Sequence, residues 1–183
     1  MDKSIPDPSS ASGDPAPALD TCLAEALMMQ RYFSEILKVQ QTEPALRVDA
    51  SALCLAFSLH RAVQKHAAQL TDVLETRPDA QALLLRSCVH LSGMFFGFIC
   101  KSRAHEARAI LHGDYALLNA AVLNYRQLLH AAREADDATA ARLAQGHLRT
   151  LRKFIGQIER LLCPRPAEAV ANPIEWAAGV SLA

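Results

Sequence analysis

The stretch LCLAFSLHRAVQKHAAQLTDVL, residues 53–74, decides the fold because its apolar side chains recur every three or four positions. That spacing places them on one face of an α-helix, whereas a half-buried strand would alternate apolar and polar side chains. Asp49 or Ser51 can cap the helix and Pro78 stops it, which predicts a helix over about 49–76. Its inward seam is Leu53, Ala56, His60, Val63, Ala67, Leu70 and Leu74.

Four further segments have helical spacing, and none alternates like a strand. They are predicted at about 18–42, 79–112, 114–135 and 138–163. Asp20 and Thr21 offer cap oxygens to the first, and Asp137 offers one to the last. Gly113 is interpreted as the C′ residue that ends the third. Because the connections are short, the sequence predicts an all-α, up-and-down antiparallel bundle of four to five helices.

Each segment has its own inward row of apolar residues. In the first helix the row is Leu19, Leu23, Ala26, Leu27, Gln30, Phe33 and Leu37. In the predicted helix 114–135 the row is Leu118, Val122, Tyr125, Leu129 and Ala132. In the predicted helix 138–163 it is Leu148, Leu151, Ile155, Ile158 and Leu162. These rows predict one shared core.

The length of 183 residues and the 51% hydrophobic content suit a single domain, predicted over 18–163. Residues 1–17 are rich in Pro, Ser, Gly and Asp and are expected to be disordered, and 164–183 is expected to be a flexible tail. The most apolar window, 83–100, has an uncharged part of only about ten residues, where a membrane span needs about 20. It is interpreted as a buried helix.

Charge and cysteine content set the expected environment. The 19 Lys and Arg balance the 19 Asp and Glu, so no global basic field favours nucleic acid. The cysteine number is odd and no pair has C-x-x-C spacing, which indicates reduced, mostly buried thiols in a cytoplasmic protein. The five are Cys22, Cys54, Cys88, Cys100 and Cys163.

The last three segments resemble a known group of proteins in the lengths and order of their helices and turns. A helix ends in the stretch 110–114, a second follows over 115–133, and an acidic turn leads to a third helix rich in Leu, Arg and Gln. In this the chain resembles the bacterial ferritin-like four-helix bundles of poorly known function, some of them linked to stress. The resemblance covers about residues 80–163 and extends more weakly to 18–77. It implies metals held by inward carboxylates and Glu-x-x-His pairs.

The ligands that this resemblance implies are missing. The chain has no Glu-x-x-His. The fourth predicted helix has no acidic residue between Asp114 and Glu134, and the fifth has none between Asp137 and Glu159. The positions where inward Glu would be expected hold Val122, Tyr125 or Gln145. The resemblance therefore implies a bundle that has lost its metal centre, and neither a metal nor a cofactor is predicted.

Two histidines on apolar seams are candidates for a cofactor site. His60 and His105 would hold a haem or a metal if both rings faced one cavity. The alternative is that each is a core histidine bonded to a polar neighbour. Both interpretations stay open from the sequence.

Two surfaces are candidates for partners. Gly93 and Gly97 are four residues apart and bare one patch of helix, and Phe96 points away from the seam. This pattern predicts a tight internal crossing, a dimer contact, or a pocket walled by Met94, Phe95, Phe96 and Phe98. The basic residues of the last helix predict either an anionic partner or a solvated face. They are Arg142, Arg149, Arg152 and Lys153.

These features favour a non-catalytic, soluble helical bundle that acts through protein–protein contacts, as a homodimer or with another protein. No nucleophile with a nearby base and no phosphate-binding loop is present, so no catalytic residue is predicted. One alternative is a ferritin-like bundle that binds a metal or haem. A second is a nucleic-acid-associated protein that uses the basic last helix, although no aromatic side chains interleave with its charges.

Overall fold

A computed structural model describes residues 15–77, 82, 84–85 and 106–163. The described elements are all helical, which confirms the predicted all-α class. Five helices are defined: α1 Pro15–Gln40, α2 Pro44–Val48, α3 Ala50–Leu74, α4 Ala107–Glu134 and α5 Ala138–Leu162. Within these described ranges, no helix combines the length and the apolar character that crossing a membrane requires.

The four long helices form a closed ring. Helix α1 packs on α3 and α4, and α5 packs on α4 and α3, with α3 and α5 the least closely packed pair. At one end, Arg77, just beyond α3, forms ion pairs with Asp20 near the start of α1 and with Asp137 before α5. At the other end, Arg108 at the start of α4 donates a hydrogen bond to the carbonyl of Leu162, the last residue of α5.

These end contacts fix the helix directions. Helices α1 and α5 run one way, and α3 and α4 run the other, so every neighbouring pair in the ring is antiparallel. Helices α3 and α4 are diagonal to each other and parallel. The chain therefore leaves α3 at one end of the bundle and enters α4 at the other end.

The core consists largely of the predicted inward rows. All seven inward residues predicted for the first helix are buried, Gln30 included. On α3 the buried face is rotated from the predicted seam: Leu59 and His66 are buried, whereas His60 and Ala67 are half-buried. The buried face contains Leu59, Val63, His66 and Leu70, which recur at intervals of four, three and four residues as one face of a helix requires.

The prediction that Gly113 ends a helix is wrong. Helix α4 begins at Ala107 and runs through Gly113 without a positive φ. Buried residues continue across the glycine at Ile110, Asp114 and Leu117, so the helix has one continuous inward face there. Residues 107–112 therefore belong to α4, and most of the predicted helix 79–112 lies outside the described residues.

The predicted helix ends have mixed outcomes. The carboxylates of Asp49 and Asp137 accept backbone N–H groups of the first turns of α3 and α5, which confirms both as caps. Asp20 and Thr21 do not cap α1, because α1 begins at Pro15 and both lie inside it. Pro44 follows the end of α1 but also opens the unpredicted helix α2, where a first-turn proline loses no hydrogen bond.

The prediction of mostly buried thiols is wrong for two of the three cysteines that the structure describes. Cys54 and Cys163 are exposed, and Cys22 is half-buried. Burial, followed by the neighbouring Glu25, raises the pKa of the Cys22 thiol. Cys54 lies on the outer face of α3, and Cys163 follows the last residue of α5, which explains their exposure.

Candidate functional site

A layer of polar side chains crosses the core at one height of the bundle. Gln30 lies ten residues from Asp20 on α1, and His147 lies ten residues from Asp137 on α5, which corresponds to about 15 Å of helix in each case. His66 lies at a similar distance from Arg77. Tyr125 of α4 contacts both imidazole rings. Each long helix thus contributes a buried polar side chain to this polar layer, which we define as Gln30, His66, Tyr125 and His147; Asn124, which precedes Tyr125 on α4, is buried as well.

The two histidines of the polar layer form a stacked pair. The ring centroids of His66 and His147 are 3.7 Å apart with 19° between the planes. The ring of Tyr125 meets that of His147 edge-on at 5.0 Å and 89°. Both histidines are 4% exposed, so the pair is held by packing from α3, α4 and α5.

One hydrogen bond fixes the tautomer of His147. Its Nε2 lies 2.9 Å from Oε1 of Gln69, which can only accept, so Nε2 carries the proton. The Nδ1 atom of His147 is then an unprotonated acceptor. This atom, Nδ1 of His66 and the hydroxyl of Tyr125 are all buried without a hydrogen-bond partner among the described residues.

Burial keeps both rings neutral at neutral pH. Desolvation, followed by the charge of Lys65, lowers the pKa of His66 to about 4. Desolvation, followed by His66 and Lys65, lowers the pKa of His147 to about 3. Burial also raises the pKa of Tyr125 well above its usual value, so its hydroxyl stays protonated. The polar layer therefore carries no charge at pH 7.

A surface pocket lies against the histidine pair, between α3 and α5. Its volume is about 400 Å³, and it reaches the two stacked rings from the solvent. Two cations and no carboxylate are among the described residues that line it. The polar lining residues are Lys65, His66, Gln69, Arg142, His147 and Thr150. We call this the α3–α5 pocket.

The predicted cofactor ligand His60 is engaged elsewhere. Its Nδ1 accepts from Nε2 of Gln41 at 2.9 Å, and its Nε2 lies 3.1 Å from Oγ of Ser34. Both ring nitrogens are thus used within the protein, as the core-histidine alternative expects. His105, the other predicted ligand, lies outside the described residues, so a shared cavity for the two rings stays a prediction.

The two predicted partner surfaces have different outcomes. Gly93, Phe96 and Gly97 lie outside the described residues, and a contact through them stays a prediction. The four basic residues of α5, Arg142, Arg149, Arg152 and Lys153, are all exposed. None of the four forms an ion pair with another described residue.

The polar layer does not fit the di-metal centre that a ferritin-like bundle implies. Three residues before His66 and His147, where Glu-x-x-His would place a carboxylate, the chain has Val63 and Ala144. The described residues contain no group of three or more His, Cys, Asp or Glu side chains that could hold a metal ion.

Sequence reasoning missed the pairing of His66 with His147, although part of the signal was present. His66 lies three residues after Val63 and four before Leu70, and His147 lies four before Leu151, so each falls on an apolar row. The hydrogen bond of His147 joins residues 78 apart in the chain. Nothing local in the sequence indicates that these two rows face each other.

Comparison with other proteins adds no further assignment: the chain matches no family model, no curated protein and no solved structure.

Proposed function

We propose that this protein is a non-catalytic helical bundle, built on the ferritin-like plan without a metal centre, that acts by contact with other proteins. The observation that carries the proposal is the uncharged polar layer of Gln30, His66, Tyr125 and His147. Hard di-iron centres need anionic oxygen ligands, and none of these side chains is anionic at neutral pH. The middle of the bundle therefore supplies packing rather than redox chemistry.

The ferritin-like part of the proposal is supported by the helix order. Ferritin-like bundles have one long connection that joins their two helical hairpins. Here α1 with α3 and α4 with α5 are antiparallel pairs, and the chain joins opposite ends of the bundle between α3 and α4. The two histidines lie on α3 and α5, and the single polar positions lie on α1 and α4. That distribution corresponds to two Glu-x-x-His helices and two single-Glu helices whose carboxylates are lost.

Contact with other proteins is supported by the surface of α5. Arg149, Arg152 and Lys153 are exposed in one stretch and have no described carboxylate partner. A cationic face without internal partners favours a negatively charged partner. An acidic protein surface fits better than nucleic acid, because no aromatic side chains lie among these charges to stack on bases. Homodimerisation through 93–97 is a separate element of the proposal.

Iron binding and oxidation test the non-catalytic assignment. Fe(II) is added anaerobically to the purified protein, and air is then admitted while absorbance is followed. We expect no saturable binding and an oxidation rate equal to that of buffer. Stoichiometric binding of about two irons per chain, as in a di-iron bundle, would overturn the proposal.

A designed variant tests the ferritin-like plan in the same assay, because it is expected to gain metal binding. Val63→Glu together with Ala144→Glu restores a Glu-x-x-His sequence on both α3 and α5. On the ferritin-like plan this variant gains saturable binding of Fe(II) or Co(II), provided that circular dichroism shows it folded. The control is Ala141→Glu with Ala67→Glu, which adds the same charges on the same helices at half-buried positions outside the polar layer.

A further inference from the structure

We propose that the α3–α5 pocket binds a small oxyanion of the phosphate class, and that binding is coupled to proton uptake by the His66–His147 pair. This inference goes beyond the proposed function, because it assigns a small ligand to a site that the non-catalytic bundle does not require.

The charge of the pocket selects the sign of the ligand. Lys65 from α3 and Arg142 from α5 line opposite sides, and neither forms an ion pair with a described residue. No described carboxylate lines the pocket. Two unpaired cations around one concavity attract an anion, and the guanidinium of Arg142 can donate two parallel hydrogen bonds to an oxyanion.

The floor of the pocket distinguishes it from a generic basic surface. His66 and His147 line the pocket yet are 4% exposed, and each has a buried Nδ1 without a described hydrogen-bond partner. The wall adds a neutral donor, the amide nitrogen of Gln69, whereas the hydroxyl of Thr150 already donates to the carbonyl of Gly146. Cations at the rim, an amide donor on the wall and titratable rings on the floor together match a small, multiply hydrogen-bonded oxyanion.

The coupling to protons follows from what surrounds the rings. Lys65 on α3 and Arg142 on α5 are positive, Tyr125 on α4 is held neutral, and Gln30 is the polar residue of α1 at this height. No described carboxylate faces the pair to stabilise an imidazolium. A bound oxyanion would provide that missing negative charge, so it would favour protonation of one ring. By linkage, protonation would in turn favour the anion.

Isothermal titration with sulfate and pyrophosphate tests both halves of the inference. Sulfate does not ionise near neutrality, so repeating its titration in two buffers of different ionisation enthalpy measures protons taken up by the protein alone. We expect binding at pH 5.5 in low salt with net proton uptake. As the pH is raised above 5.5, the affinity for sulfate should fall by up to about tenfold per pH unit, which is the limit for uptake of one proton. Adenosine monophosphate in a third titration distinguishes a free anion from a phosphate carried on a nucleoside.

Paired charge variants locate the site. Lys65→Gln with Arg142→Gln should weaken sulfate binding by at least about tenfold, because both charge-assisted contacts are lost. Arg149→Gln with Arg152→Gln removes two charges from α5 outside the pocket and should leave the affinity within about twofold. All four side chains are exposed, so both variants are expected to fold.

Three results would overturn the inference. Absence of binding at millimolar sulfate and pyrophosphate would remove the site. Equal losses in the two paired variants would show a diffuse basic face. Binding without proton uptake would remove the coupling to the histidine pair. None of these results would affect the non-catalytic assignment, which depends on the iron assay.

Discussion

Asp114 shows how one buried side chain makes stability depend on pH. It is 2% exposed, and its Oδ1 accepts a hydrogen bond from Nε2 of Gln40 at 2.9 Å. Burial raises the pKa of Asp114 to about 7, although the Gln40 bond opposes the shift. The folded state therefore retains a proton that the unfolded state loses near pH 4. The contribution of Asp114 to the free energy of unfolding therefore falls as the pH rises from about 4 to about 7.

The substitution Asp114→Asn tests this at the same residue. It removes the ionisation and keeps a side-chain oxygen for Gln40. The slope approaches about 1.4 kcal/mol per pH unit only between the two pKa values. We therefore expect the free energy of unfolding of the wild type to fall by about 3 kcal/mol relative to that of the variant between pH 4 and 7. Urea unfolding at both pH values measures the difference. A difference that does not change with pH would show that Asp114 has an ordinary pKa.

At the scale of the elements, Gly113 lies in the interior of α4 rather than at a helix end. A Cβ built at this glycine meets no atom within 4 Å, and its φ is not positive. We expect Gly113→Ala to stabilise the protein by up to about 1 kcal/mol, the usual helix-propensity difference. Gly156→Ala on α5 is the matched control, since it is equally open and helical. Chemical unfolding that showed Gly113→Ala to be destabilising would restore the helix end predicted from sequence.

Asp137 combines a cap with an ion pair at the start of α5. Its Oδ1 accepts the N–H groups of Thr139 and Ala140, and its other oxygen pairs with Arg77. Asp137→Ala should cost about 1 kcal/mol or more, whereas Asp137→Asn keeps the cap acceptor and should cost less. Thermal unfolding of both variants separates the contributions. Equal losses of stability in the two variants would mean that the ion pair with Arg77, and not the helix cap, is the source of the stabilisation.

The helices were predictable because their determinants are local. The caps Asp49 and Asp137 and the inward row of α1 follow from residue types at fixed offsets. The start of α4 was predicted after Gly113 rather than at Ala107, because this glycine has the composition of a helix end but lies within a continuous apolar face. Helix α2 was missed because Pro44 serves equally well as a stop and as a first helical residue.

At the scale of the whole molecule, the arrangement depends on contacts between distant residues. Arg77 joins Asp20 and Asp137, which are 57 and 60 residues away in the chain. Such contacts set the helix directions and bring His66 against His147. Sequence spacing places each histidine on an apolar row but cannot pair the rows. The candidate site could therefore be predicted only as separate residues. His60 was favoured over His66 because the predicted seam contained His60 and Ala67, one residue beyond the buried Leu59 and His66.

The state of the histidine pair tests the whole account most directly. Two-dimensional ¹H–¹⁵N spectra of the imidazole rings, assigned with His66→Gln and His147→Gln, give the tautomer and pKa of each ring. We expect both rings to stay neutral down to about pH 5, with His147 protonated at Nε2 and neither signal shifted by added Fe(II) or Zn(II). A ring that titrates near pH 6.5, or a stoichiometric shift on addition of metal, would contradict the neutral, metal-free centre.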